Sequence, residues 1–203
     1  RVNTDHLVVI TGAGSGIGRA LAMELARTVG CSLALLDLNV EALEATRSAI
    51  LAAQQGTLPQ HCSVHACDVS QRAQIERARS EVREAHKRED INVLINNAGI
   101  LGGSSFFESD EAEWDKVMNV NWGGVYLCAR VFASALRAAR EAHLVNVSSL
   151  SGLHAAISST QPHCAYSTSK FAVRGFTESL VVDAAKHAPH VHVSLVILGH
   201  VAT

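Results

Sequence analysis

Leu7-Val-Val-Ile-Thr-Gly-Ala-Gly-Ser-Gly-Ile-Gly18 is the stretch on which the fold turns. Leu7 to Ile10 is a short apolar run that stops at a glycine-rich turn, Thr11 to Gly18. That length between turn residues fits a buried strand. Beyond the turn, Ile17, Leu21 and Leu25 recur at helical spacing, and Gly30 stands where a helix closes. The segment therefore reads as strand, tight turn, helix. Glycines in such a turn let the chain reverse sharply and bring backbone N–H groups to the positive end of the helix, where a phosphate can be held. They also have a purely steric use between strand and helix, so the reading depends on what surrounds the turn.

The same alternation continues outward. Cys31 to Leu36 is a second apolar run ending at Asp37, and Asn39 can cap a helix carrying Leu43, Ile50 and Leu51 before the breakers Gly56 and Pro59. Ser63 to Val69 reads as a third strand, with Ser70 as the N-cap of a charged helix reaching about Arg88. Ile91 to Ile95 is a fourth strand, followed by Asn96-Asn97-Ala98-Gly99 and a Gly/Ser loop. A helical stretch runs from Glu111 to Ala139, interrupted near Gly123-Gly124. Leu144 to Val147 is a fifth strand before a loop from Ser148 to Pro162; Tyr166 to Lys186 is helical, and Val191 to Leu198 is a sixth strand. Right-handed crossovers then give an α/β fold: a Rossmann-like, doubly wound parallel sheet in three layers, with helices on both faces and a single domain over residues 1–203. Ligands of such sheets sit beyond the carboxyl ends of the strands, which is where Asp37, Asp68, Asn97, Ser149 and Gly199 fall.

Bulk properties narrow the partners. A formal charge of −2 and the lack of any Lys/Arg-rich run offer no field for nucleic acid. No apolar stretch reaches a membrane-spanning length, and residues 1–10 do not read as a secretion signal. The five cysteines are an odd number scattered through apolar segments, as expected of reduced thiols in a cytoplasmic protein. Of the eleven histidines, His61 with His65 and His190 with His192 have strand spacing too wide for joint chelation, so no metal site is expected. Small molecules remain as the expected partners.

Three groups carry chemistry. Asp37 lies nineteen residues past Gly18, at the end of the second strand. A carboxylate there accepts hydrogen bonds from an adenosine ribose and repels a 2′-phosphate; with Leu38 rather than a base following it, NAD is favoured over NADP. Tyr166 and Lys170 are four apart on one helix face. A phenol, with an ordinary pKa of about 10, exchanges protons poorly at neutral pH, and a neighbouring ammonium favours its ionised form. Ser148 and Ser149 end the fifth strand, where a hydroxyl can bond a substrate carbonyl or simply cap a turn.

Together Thr-Gly-x-x-x-Gly-x-Gly at 11–18, Asn-Asn-Ala-Gly at 96–99, Val-Asn-Val-Ser-Ser at 145–149 and Tyr-x-x-x-Lys at 166–170 make a chain that resembles the short-chain dehydrogenase/reductase family over nearly its whole length. The resemblance implies hydride transfer between a secondary alcohol or ketone and a nicotinamide cofactor, with Tyr166 as acid/base, Lys170 as its modulator, Ser149 as the carbonyl-binding serine and Asn121 holding a water in the proton relay. It implies cofactor contacts at Gly12, Ser15, Gly16, Ile17, Gly18, Asp37, Asp68, Val69, Asn97, Ala98 and Gly99, at Tyr166 and Lys170, and at Val201 and Thr203 near the nicotinamide amide. A homodimer or homotetramer is the assembly it implies.

Three departures stand out. The interval from Ser149 to Tyr166 is longer than usual, so either the substrate loop is bulkier or the functional serine is the neighbouring one. Leu198 replaces the usual Pro before Gly199, and the chain stops at Thr203, before the segment that in the family supplies a lid and a seventh strand. The C-terminal strand is thus expected to be missing and the chain to be part of a longer protein. A second reading stays open, a non-catalytic dinucleotide-binding or sensing module on the same fold. A methyltransferase-like Rossmann domain would use a similar first turn but gives no reason for Tyr166 and Lys170.

Overall fold

The computed structural model describes residues 2–53, 61–102, 105–108, 110–155 and 163–199. Within them the expected alternation is complete: β1 (Leu7–Thr11), α1 (Gly16–Thr28), β2 (Ser32–Asp37), α2 (Val40–Ala52), β3 (Cys62–Ala66), α3 (Arg72–His86), β4 (Val93–Asn96), α4 (Glu111–Met118), α5 (Gly124–Ala138), β5 (Ala142–Ser149), α6 (Cys164–His187) and β6 (Val191–Leu198). All strand pairs are parallel, in the order β3-β2-β1-β4-β5-β6. The order reverses between β1 and β4, which opens a crevice at their carboxyl ends.

The central strands are buried on both faces, which is why β1 and β2 read as unbroken apolar runs, while the edge strand β6 stays partly exposed. One face packs Ala22 and Ala26 of α1 and Leu43 and Ile50 of α2 against Val8, Ile10, Leu33 and Leu35. The other packs Ile75, Ala78 and Val82 of α3 and Cys128, Phe132 and Leu136 of α5 against Leu7, Val9, Leu36 and Leu94, with Phe176 and Leu180 of α6 alongside. Each fully buried Val, Leu, Ile or Phe among these contributes about 1.5–3 kcal/mol.

Several boundaries move, each for a local reason. β3 ends at Ala66 rather than Val69, because the Asp68 amide leaves the ladder to donate to Gln74 Oε1. Ser70 is not the N-cap of the next helix; Gln71 holds that position, while the Ser70 amide and hydroxyl both donate to Asp68 Oδ1. That helix closes at His86, with Lys87 in the left-handed region at φ 52°. Asn39 caps α2 as expected, accepting from the Ala42 amide. β4 starts and ends later than the expected 91–95, β5 extends to 142–149, and α6 starts at Cys164. The stretch from Glu111 is divided by a π-turn, Asn119–Gly123, where the expected Gly123-Gly124 interruption lies. A Cβ on Gly124 would meet Val69 Cγ2 at 2.7 Å, so the glycine lets α5 close on the loop after β3.

All five cysteines are free thiols. His65 and His86 converge on one hydroxyl: each Nε2 is 2.8 Å from Ser63 Oγ, and His65 Nδ1 donates to Glu81 at 3.1 Å. Burial pushes His86 down to about 4 and lowers His65. No helix among the described residues is long and apolar enough to cross a membrane.

Candidate active site

A cleft of about 660 Å³ opens over the carboxyl ends of the strands, lined by Gly12, Ser15, Gly16 and Ile17, by Asp37, Leu38 and Asn39, by Cys67, Asp68, Val69 and Ser70, by Asn97 to Ile100, and by Lys116, Asn119 and Val120. Gly12 (φ 68°) and Gly16 (φ 50°) take left-handed backbone that side chains resist, so the turn after β1 reverses tightly and puts Gly12, Ser15, Gly16 and Ile17 on the cleft wall. Ser15 caps α1 without a side-chain bond to it, which leaves the first-turn N–H groups and the hydroxyl toward the cleft. That is a helix N-terminus fit for a pyrophosphate. Gly18 faces inward instead: a Cβ there would lie 2.1 Å from Gly12 O. Its lack of a side chain permits close packing of the turn, and the expected cofactor contact at Gly18 would have to be made by its backbone.

Side chains hold this cleft in shape. Asp37 Oδ2 accepts from the Gly14 amide at 2.9 Å and Oδ1 from the Asn39 amide at 3.0 Å, so the carboxylate braces two turns while lining the pocket. Asn97 Nδ2 donates to Thr11 O and Gly12 O, and Thr11 Oγ1 accepts from the amides of Asn97 and Ala98. The Asn97 side chain thus staples the β4 loop to the glycine turn. Thr11 was not singled out from sequence, although its place beside the first glycine is the available signal.

The second half of the site lies on α6 and its neighbours. Lys170 is 5% exposed, its Nζ donates to Val147 O at 3.2 Å, and it stands 5.7 Å from the centre of the Tyr166 ring. Burial pushes its ammonium down to about 8, with no opposing influence from a carboxylate. The two serines part company. Ser148 is buried and donates to Lys170 O at 3.0 Å, whereas Ser149 is half-buried and its Oγ accepts from the Ser151 amide, capping a short 3₁₀ turn at Leu150–Gly152. Asn121, fully buried in the π-turn, accepts from the Ile100 amide at 2.8 Å and donates to Ile100 O at 2.9 Å and Ser169 Oγ at 3.2 Å. Gly99 joins the halves: it lines the cleft, and a Cβ there would lie 3.3 Å from Asn121 Oδ1 and 3.6 Å from Lys170 Nζ.

Comparison with known proteins decides the family, since the model of the short chain dehydrogenase family matches residues 6–203. The chain belongs to the short-chain dehydrogenase family. It is 37% identical over 178 residues to epidermal retinol dehydrogenase 2 of Mus musculus, covering 88% of this chain and 54% of that protein. Among solved structures it is similar to a short-chain dehydrogenase/reductase from Burkholderia phymatum in complex with NAD, at 34% identity, TM-score 0.86, and coverage of 99% of this chain and 68% of the other. It is similar also to a metagenomic short-chain oxidoreductase in complex with NADP, at 35% identity, TM-score 0.82, and coverage of 98% and 84%.

This short-chain dehydrogenase spans about half the length of its retinol dehydrogenase relative. Val201 and Thr203, expected near the nicotinamide amide, lie outside the described residues, as do residues 156–162 of the long loop before α6. Lys116 on α4 and Asn119 at the start of the π-turn also line the cleft wall and carry no motif in the sequence.

Proposed function

We propose that this short-chain dehydrogenase interconverts a secondary alcohol and a ketone, or a primary alcohol and an aldehyde of the retinol type, using NAD in preference to NADP. The observation that carries the reading is Gly99, at which the nucleotide-sized cleft meets Lys170 and Asn121. The residues fit a dinucleotide: open amides at the α1 N-terminus for the pyrophosphate, Asp68 and Val69 beside the adenine end, and the Asp37 carboxylate where a ribose would lie. A bound nicotinamide supplies the chemistry that takes up or returns the hydride. Every other task falls to this chain.

Tyr166 takes the alcohol proton on its phenol oxygen during oxidation and returns it during reduction. Lys170, 5.7 Å from that ring, biases it toward the ionised form when protonated and presents its other N–H groups to the cofactor ribose. The Ser149 hydroxyl donates to the substrate oxygen and aligns it. Its partner Ser148 is spent on Lys170 O, which supports Ser149 as the acting serine of the two. The Asn121 side chain is committed to Ile100 and Ser169, and the residue is assigned to the proton relay beside Lys170, where Gly99 brings the two together. The name of the mouse relative points to retinol as the first substrate to try.

Tyr166→Phe tests the assignment with retinol and NAD. Loss of the single oxygen should lower kcat by about 100-fold or more while NADH affinity, read by fluorescence titration, changes less than about twofold. A variant that turns over near the unaltered rate removes Tyr166 from the acid/base role.

A further inference from the structure

Ser169 was not among the residues picked from sequence, and the mechanism above gives it no task. Its position is nonetheless unusual. It is fully buried, its hydroxyl donates to Tyr166 O at 2.6 Å, and the same oxygen accepts from Asn121 Nδ2 at 3.2 Å. Asn121 in turn grips both the N–H and the C=O of Ile100, the residue that follows Gly99 at the edge of the cleft. A continuous run of bonds therefore links the cleft loop, the π-turn and the first turn of α6. Either end carries a residue on which the proposed reaction depends: Gly99 against the cofactor space, Tyr166 at the proton.

A hydroxyl is the group this junction needs. It donates once, to the Tyr166 carbonyl, and still accepts from an amide N–H. Alanine would leave one buried Asn121 N–H without its partner and the Tyr166 carbonyl without its second bond. A serine donating three residues back in its own helix also fixes the tilt of the carbonyl it holds. We propose that Ser169 is a positioning residue, coupling the cleft loop at Ile100 to the Tyr166 turn through the Asn121 amide. The kinetic half of this inference rests on the acid/base reading of Tyr166; the structural half does not.

The test has two arms on the same protein. Hydrogen–deuterium exchange reads the segment containing Ile100, whose amide is held by Asn121 Oδ1. Ser169→Ala should speed exchange there by about five- to tenfold and leave the strand amides of β2 unchanged, since one buried hydrogen bond is lost. With retinol and NAD, the same variant should lower kcat about five- to tenfold with KM and NADH affinity within about twofold. In an Asn121→Ala background the further effect of Ser169→Ala on exchange should fall below about twofold, because its route is already cut. Should Ser169→Ala fail to fold, Ser169→Cys, which keeps the volume and bonds weakly, carries the same comparison, and Ser169→Thr should restore exchange by restoring the hydroxyl. Unchanged exchange at Ile100 in Ser169→Ala, or full additivity with Asn121→Ala, overturns the coupling. No turnover in the unaltered protein counts against the proposed reaction alone, and the exchange arm still decides the coupling.

Discussion

Asp37 shows how far a single residue could be read in advance. Its place at the end of the second strand announced a cleft-facing acid, and it lines the cleft. Its hydrogen bonds to the Gly14 and Asn39 amides were not legible, because they depend on how two turns approach each other in space. Asp37→Ala should therefore weaken NADH binding about tenfold and narrow the gap to NADPH, as judged by paired fluorescence titrations. A preference that stays put would mean the carboxylate serves the turns and not the ribose. The two serines teach the same lesson from the other side. Val-Ser148-Ser149 gives both the same local chemistry, and only the approach of α6 commits Ser148 to Lys170 O.

Among elements, the glycine turn was readable as a turn but not in its division of labour. Gly12 and Gly16 are needed for their backbone angles, whereas Gly18 is needed because Gly12 O leaves no room for a side chain. Gly18→Ala should accordingly cost about 2–3 kcal/mol through overpacking, lowering the melting temperature by roughly 4–12 °C for a chain of this size. A melt within a degree of the unaltered protein would show that the turn yields easily. Strand and helix identities were legible throughout because burial on both sheet faces demands apolar runs, and helix faces demand their own period. The end of β3 and the start of α3 were not, since Asp68 and Gln74 redirect the chain by side-chain bonds that no periodicity records. The π-turn at Asn119–Gly123 belongs with these: glycines marked an interruption, and tertiary contact with Val69 decides its form.

At the scale of the whole molecule, alternation of strand and helix was enough to give the doubly wound sheet and to put the ligand side at the carboxyl ends of its strands, whereas the reversal of order between β1 and β4 emerges only from the spatial arrangement. Stability against pH is likewise a property of the whole fold, fed by a few buried groups. His86 is held neutral down to about 4, below its ordinary 6.5, so the unfolded chain takes up protons first and stability drains away as pH falls between those values. Lys170 is lowered to about 8 from 10.5, so stability is depressed below 8 and recovers as pH climbs toward 10.5, by about 3 kcal/mol. Buried thiols such as Cys31, raised to about 11, pull the other way above 9, so the lysine is isolated by difference. In urea titrations from pH 7 to 10, Lys170→Met should start more stable than the unaltered protein and lose that advantage as pH rises; a constant difference would mean the amine is well solvated. Among the described residues no carboxylate offsets the burial of that ammonium, so a local positive charge stands at the floor of the site. The fold thus tolerates a standing electrostatic cost, one that a negative oxygen formed beside the ammonium in the proposed reaction would cancel; on that proposal the most stable version of this chain and its most active version are different molecules.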